Sequence, residues 1–397
     1  MNALPRITDE QRRARLAVRH RLAAGAGTDD VAAIADSVVA LHSSDPASVY
    51  LSAAARMRTP ALQPTSDALY EQRSLVRHHG MRRTIWVCTP TVARAMHAAC
   101  TADIAKREWQ QLTNWVGNSG IEPAEQWLRQ AADDTVAALE RLGPVSARQL
   151  GKAVPALTTK ITTGSGKYVV ETAVHSRLLL VLGFDATIVR TSPTGKWVSS
   201  EYLWTAMDRW LPEGLTGMDP AAARSHLVGR YLRSFGPATT LDVQWWTGLT
   251  AGATKAALAA LAAVEVQLDD GTTGWVLPDD TAPVEAATHW VALLPGLDPT
   301  TMGWKHRNWY LGEHGALGRS LFDRNGNAGP TVWVNGRAVG AWTQRAGGDI
   351  GYELVQPIDA RARRDVDRAA EQLRVVIGAD RVAPRFPAPL QRSLTQR

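Results

Sequence analysis

Two stretches, "LGPVSARQL" at residues 142–150 and "FGPATTLDV" at 235–243, break the chain in the same way. Around the first, "DDTVAALERLGPVSARQLGKAVP" reads as a helix, a Gly143-Pro144 break and a short helix beginning at Ser146. A polar loop, a third helix in "YVVETAVHSRLLLVLG" and two strands in "DATIVRTSPTGKWVSSE", joined around Pro193 and Gly195, complete the unit. Residues 220–277 repeat that order and end in a hairpin turning at "DDGTTG". Three helices followed by a β-hairpin is the order of a winged helix-turn-helix module. Its recurrence constrains architecture more than any composition could. It does not by itself fix function, because such modules serve both DNA binding and protein–protein contact.

The flanks supply the rest of the plan. "TDEQRRARLAVRHRLA" reads as an amphipathic helix with Thr8 or Asp9 as cap. "TDDVAAIADSVVAL" reads as a second helix, N-capped by Thr28, that delivers His42 at its C-terminal end. "DALYEQRSLVRHHGMRRTIWVCTP" reads as helix, a turn at Gly80 and a strand from Thr84 to Val87. From about residue 286 strands and turns dominate: Asn335-Gly336 suits a type I′ hairpin turn, and "ARRDVDRAAEQLRVVIG" gives a final helix before a proline-rich tail. The expectation is an α+β chain with tandem winged helix-turn-helix modules and a β-rich C-terminal domain. Residues 1–130 would form an N-terminal helical region, 131–205 and 206–285 the two modules, and 286–397 the C-terminal domain.

Composition removes several functional classes. No apolar run approaches eighteen residues and "MNALPRITDEQRRARL" lacks signal-peptide order, so a cytoplasmic protein with no membrane partner is expected. Two cysteines, Cys88 and Cys100, are too few for a zinc site or a disulfide framework and read as buried thiols. "TTGSGKY" is no phosphate loop, since Ile161 and Tyr168 stand where glycine and a hydroxyl residue are needed; it reads as a flexible basic loop. "RNGNAGP" lacks the strand and helix of a dinucleotide fingerprint and reads as a turn. No metal and no cofactor are expected. A net charge of +6, with 37 arginines against seven lysines, permits a polyanionic partner. Most of the fifteen tryptophans are expected in the core.

Two local clusters carry the chemistry. "LHSSDP" places His42, Ser43, Ser44 and Asp45 before Pro46, between two alanine-rich runs. As structure, His42 and Ser44 would be C-cap and turn residues, with Asp45 capping the next helix. As chemistry, a neutral histidine can accept a proton from water and a serine hydroxyl can hold that water. "RHHGMRRTIWV" gathers Arg77, His78, His79, Arg82 and Arg83, either a solvated turn or a basic face.

The chain resembles the winged-helix DNA glycosylases of the azinomycin-resistance type, AlkZ-like and YcaQ-like. The matching pieces are "VVALHSSDPASVYLSAAAR", "LVRHHGMRRTIWV", "LGPVSARQLG", "YLRSFGPATTLDVQWWTG", "LLPGLDPTTMGWKHR" and "GPTVWVNGRAVGAW", in order across nearly the whole chain. The resemblance implies a DNA channel and hydrolysis of the N-glycosidic bond of alkylated or bulky-adducted purines, including those in crosslinks. The family signature is Gln-x-Gln or Gln-x-Asp followed by Asp-Pro. Here His42 and Ser44 occupy its two functional positions, and Asp45-Pro46 match the pair that follows. The implied site is His42 and Ser44 as catalytic residues that orient water, with Asp45 in support. One of Arg82 and Arg83 would contact phosphate while the other pairs with an acid. Arg77, Lys196, Lys305 and Arg307 complete the expected DNA contacts, and Asp298 belongs either to a phosphate loop or to an interface ion pair. The expected partner is double-stranded DNA bearing alkylated purines, met by a monomer working without a lysine Schiff base. The rivals are a non-catalytic winged-helix DNA-binding protein, as lesion binder or transcriptional regulator, and an enzyme redirected to another nucleic acid.

Overall fold

The computed structural model describes residues 4–164, 166–287, 289–312 and 318–395. It is a mixed helical and sheet structure, and no helix among the described residues is long and apolar enough to cross a membrane. The chain opens with α1 (Asp9–Arg19), whose N-cap Thr8 accepts from the Gln11 amide. In α2 (Val31–Ser37) the cap is Asp30 rather than the expected Thr28. That helix stops before His42. Val39 turns the chain at φ 65°, and the fully buried run from Val38 to Leu41 leads into strand β1 (Leu41–His42). Asp45 then caps α3 (Pro46–Ala54), with Pro46 in the first turn where a missing N–H costs nothing.

The basic run departs further from expectation. Helical turns end by Glu71, and Val76–His79 is a strand, β2, in which all four residues are buried. It pairs with β3 (Ile85–Cys88), which starts one residue later than expected, and β1 pairs with the other edge of β3. The antiparallel register sets His42 opposite Trp86 and His79 opposite Ile85. A close approach at Gly80 explains the turn residue, since a Cβ there would run into Met96 Sδ.

The repeated breaks produce equivalent local structures. Gly143 ends the helix Ala124–Leu142 at φ 72°, and Ser146 forms a capping box with Gln149 at the start of Ala147–Ala153. In the second copy, Pro220–Phe235 ends at Gly236, and Thr239 forms a capping box with Asp242 before Thr240–Thr247. The residue after each Gly-Pro pair then meets a tryptophan in the second hairpin strand: Val145 pairs with Trp204, and Ala238 bridges Trp275. The third helices are His175–Phe184 and Ala251–Ala260; the hairpins are Ile188–Pro193 with Tyr202–Ala206 and Val264–Gln267 with Thr273–Val276. Two details differ from the sequence reading. The first hairpin's return strand begins at Tyr202, beyond the expected stretch. The polar loop before the third helix contains a further hairpin, Lys160–Thr163 with Val170–Ala173.

The C-terminal part holds an antiparallel sheet of Val291–Leu294, Thr331–Val334, Arg337–Gln344 and Ile350–Leu354, in chain order. Asn335 and Gly336, at φ 49° and 81°, make the expected tight turn. The long helix Ala360–Ile377 packs Val366, Ala370 and Ile377 against Leu293, Val332 and Trp342, and it is not the last: the proline-rich tail forms a further helix, Pro389–Thr395, that its composition did not announce. The second repeat shares an apolar cluster with α1 to α3 and with Trp309 and Trp333 of the C-terminal part. The first repeat has a cluster of its own, which reaches back to Leu112 and Val116, before residue 131. Asp298, one of the ambiguous polar residues, is fully buried in a two-armed ion pair with Arg56, both contacts at 2.8 Å. It ties α3 to the C-terminal part.

Candidate functional site

His42 sits in the floor of the three-stranded sheet. Its ring packs against Trp86, centroids 4.7 Å apart, and the residue is 6% exposed. Burial, helped by the nearby Arg82 charge, lowers its pKa to about 3, so the imidazole is neutral at physiological pH. The Ser44 amide donates to Nδ1 at a long 3.4 Å. That contact favours the tautomer with the proton on Nε2, an assignment made from geometry. His42 therefore carries an N–H rather than a lone pair at Nε2.

The next three residues divide their duties by alternation. Ser43 extends the ladder, donating its amide to Ile85 O at 2.8 Å, and its hydroxyl meets the Arg77 guanidinium. Ser44, on the His42 side, is half-buried, and its carbonyl accepts from Arg385 Nη1 at 3.2 Å. Asp45 has both oxygens engaged by amides: Oδ1 with Ala47 at 3.1 Å and Oδ2 with Arg385 at 3.0 Å. It holds the loop as a cap; among the described residues no hydrogen bond engages the half-buried Ser44 hydroxyl or His42 Nε2, and the histidine itself is nearly enclosed.

The expected basic contacts separate. Arg77 is 2% exposed, bound to Ser43 and Tyr70 and stacked 4.4 Å from the Tyr202 ring, so it supports the loop from inside instead of facing phosphate. His78 and His79 are buried with it. Arg83 pairs with Glu108 at 2.5 Å. Its neighbour Arg82 has no carboxylate partner among the described residues. Both take left-handed backbone angles, φ 55° and 58°, which non-glycine residues adopt at a cost. Arg82 and Arg307 both lie over the Trp245 ring, at 4.6 and 5.3 Å, and burial together with the Arg307 charge lowers the Arg82 pKa to about 10. Lys196, expected on a wing against DNA, is paired with Asp380, which also accepts from Trp197. Lys305 remains exposed while its amide donates to the buried Asp242.

Two arginines near the loop escaped the sequence reading. Arg190 stacks 4.9 Å from Trp204 on the wall of a cleft of about 730 Å³, and burial plus the Arg77 charge lowers its pKa to about 10. The only signal was an arginine inside an otherwise apolar strand, "TIVRT". Arg385 comes from the proline-rich tail, which carries no periodicity. Arg82, whose charge reaches His42, and Arg385, which donates to Ser44 O, thus lie beside the pair, with Arg307 next to Arg82 over Trp245 and Arg190 in the cleft near Tyr202; none of the four is in an ion pair among the described residues. Arg82 and Arg190, largely buried and without a carboxylate partner among the described residues, suit an anionic ligand. No group of three or more His, Cys, Asp or Glu among the described residues is arranged to hold a metal ion.

Comparison with known proteins gives three findings. The family model described as DNA glycosylase AlkZ-like matches residues 35–375. The structure resembles that of the Streptomyces sahachiroi DNA glycosylase AlkZ, with a TM-score of 0.71 and 16% identity, over 96% of this chain and 100% of that one. No curated protein matches in sequence. At that identity the structural likeness speaks for the fold.

Proposed function

The chain belongs to the AlkZ-like DNA glycosylase family, and from that premise we propose that it is a monofunctional DNA glycosylase acting on alkylated or bulky-adducted purines, including crosslinked ones, in double-stranded DNA. What supports this reading is the loop itself: by the resemblance His42 and Ser44 fall at the family's two functional positions, with Arg82 and Arg385 beside them and without carboxylate partners among the described residues. In the same reading, residues 131–205 and 206–285 act as winged-helix modules between a helical region, 1–130, and a β-rich domain, 286–397, and the protein works as a monomer.

An N7- or N3-alkylated purine is already cationic and leaves with its bonding electrons, so positive charge passes to the sugar. Water then bonds to C1′ as the C1′–N bond breaks, and its surplus proton goes to solvent. Ser44 Oγ holds that water, and His42 Nε2–H donates to its oxygen, so the pair positions the nucleophile without deprotonating it. The guanidinium groups of Arg82 and Arg385, near a developing oxocarbenium ion, would oppose the reaction unless phosphates neutralise them. Their task is therefore to grip the backbone.

A non-catalytic DNA binder with the same fold is favoured by one observation, the near-complete burial of His42 against Trp86. His42→Ala separates the two. An enzyme loses about 10²-fold in single-turnover excision while keeping its DNA affinity, the usual scale for a positioned proton-transfer or water-holding group. A protein with no turnover in either form, but intact binding, is a binder.

A further inference from the structure

A second basic cleft, of about 830 Å³, lies between α1 and the C-terminal sheet, away from His42 and Ser44. Arg12 lines it. Although only 5% exposed, its guanidinium makes no hydrogen bond among the described residues, and Nε and Nη2 are buried without partners. The plane rests 4.2 Å from the Trp309 ring, and the nearest carboxylate, Asp9, is 3.6 Å from Nη1. A buried cation left this incomplete is uncommon in a folded protein.

Its neighbours add charge of the same sign. Arg13 donates to Trp309 O at 3.0 Å, and its stem lies on the 335–336 turn, where a Cβ on Gly336 would come within 2.6 Å of it. Arg337 and the exposed Lys305 line the same cleft. Against these four cations stand two acids, Asp9 and Asp270. Asp270 is occupied by the Thr272 amide and hydroxyl, at 3.0 and 2.6 Å. Burial and the adjacent Arg337 charge both lower the Arg13 pKa, and Asp9, Glu10 and Asp269 offset that only in part.

We propose that this cleft is a second phosphodiester-binding site, in which Arg12, Arg13 and Arg337 hold the DNA backbone beyond the lesion. It rests on the glycosylase reading above. Arg307 supplies the continuity, since it lines this cleft and also stacks on Trp245 beside Arg82. A strand gripped by Arg82 and Arg307 at the loop would run on into it. Two phosphate sites on one rigid body fix the register of the duplex, which is how a protein that reads few base edges can hold one nucleotide at its active site.

The test measures affinity for a fluorescent 25-base-pair duplex as a function of salt, for the full chain, for Arg13→Ala/Arg337→Ala and for Arg12→Met, with inorganic phosphate as a competing probe. Each lost contact should weaken binding roughly 3- to 10-fold and flatten the log–log salt slope by about 0.9. The double variant, at half-buried Arg13 and exposed Arg337, keeps the test decisive if Arg12→Met does not fold. Equal affinity and slope in wild type and double variant overturn the site while leaving the glycosylase reading intact. Low-millimolar phosphate that stabilises wild type alone, without any change in DNA binding between variants, overturns it in favour of a small-anion site. A wild-type chain that binds no duplex overturns both.

Discussion

At the scale of single residues, the central fact is that His42 is neutral. Its pKa of about 3 means that the ring takes up a proton only far below physiological pH. Excision rates should therefore be flat between pH 6 and 9. A rate that falls with a midpoint near 6.5, the ordinary histidine value, would show His42 titrating as a solvent-exposed base and would contradict this account. Installing the family's glutamine pair, as His42→Gln/Ser44→Gln, should keep excision within about tenfold of wild type, because an amide and a hydroxyl can each hold the same water. Activity abolished in a folded double variant would mean that this loop works differently from its relatives. The polar cluster was visible in the sequence because nothing about a turn needs four such residues. The burial of His42 was not, since it depends on Trp86, a partner distant along the chain that only strand pairing brings near.

Secondary-structure elements place those residues. Asp45 anchors the loop twice, through the first turn of α3 and through the Arg385 amide. Asp45→Ala should destabilise the protein by about 1–2 kcal/mol in chemical denaturation, the cost of a lost cap plus a freed tail contact, whereas Asp45→Asn should recover part of it through the retained Oδ1. Equal stability of all three would remove the cap from the explanation. The breaks at Gly143-Pro144 and Gly236-Pro237 were readable because Gly-Pro is a strong local signal; the capping boxes at Ser146 and Thr239 emerge only in the structure. Strand β2 was not readable: "VRHH" has the composition of a surface turn and becomes a strand only because Tyr70, Ser43 and Tyr202 provide for Arg77 inside the protein. The hairpin at 160–173 stayed hidden for a related reason. Its alternation covers only four residues on each side, too few to stand out in a polar loop.

For the whole molecule, buried histidines set the response to acid. Burial lowers His20, His42 and His78 to about 3, and His79 lies well below its ordinary value. In the unfolded chain each takes up a proton near pH 6.5, so between that pH and the folded pKa the unfolded state binds more protons. Stability is then complete above pH 6.5 and is lost as pH falls, by on the order of 1 kcal/mol per pH unit for each histidine. Urea midpoints should hold steady from pH 7 to 9 and drop sharply by pH 5; a constant midpoint at pH 5 would contradict the burial described here. The repeat made the order of most elements from Ala124 to Val276 legible, the 160–173 hairpin excepted. The sharing of one core by α1, the second repeat and the C-terminal part was not, because those contacts and the Arg56–Asp298 pair join residues far apart in sequence. The central claim, that this chain breaks an N-glycosidic bond, is tested most directly by incubating it with duplex DNA containing a single N7-alkylguanine and counting abasic sites. The account predicts their formation well above the spontaneous rate, with loss of about two orders of magnitude in His42→Ala. Wild-type protein that binds this DNA and releases no base from it or from a bulkier adduct would contradict the account.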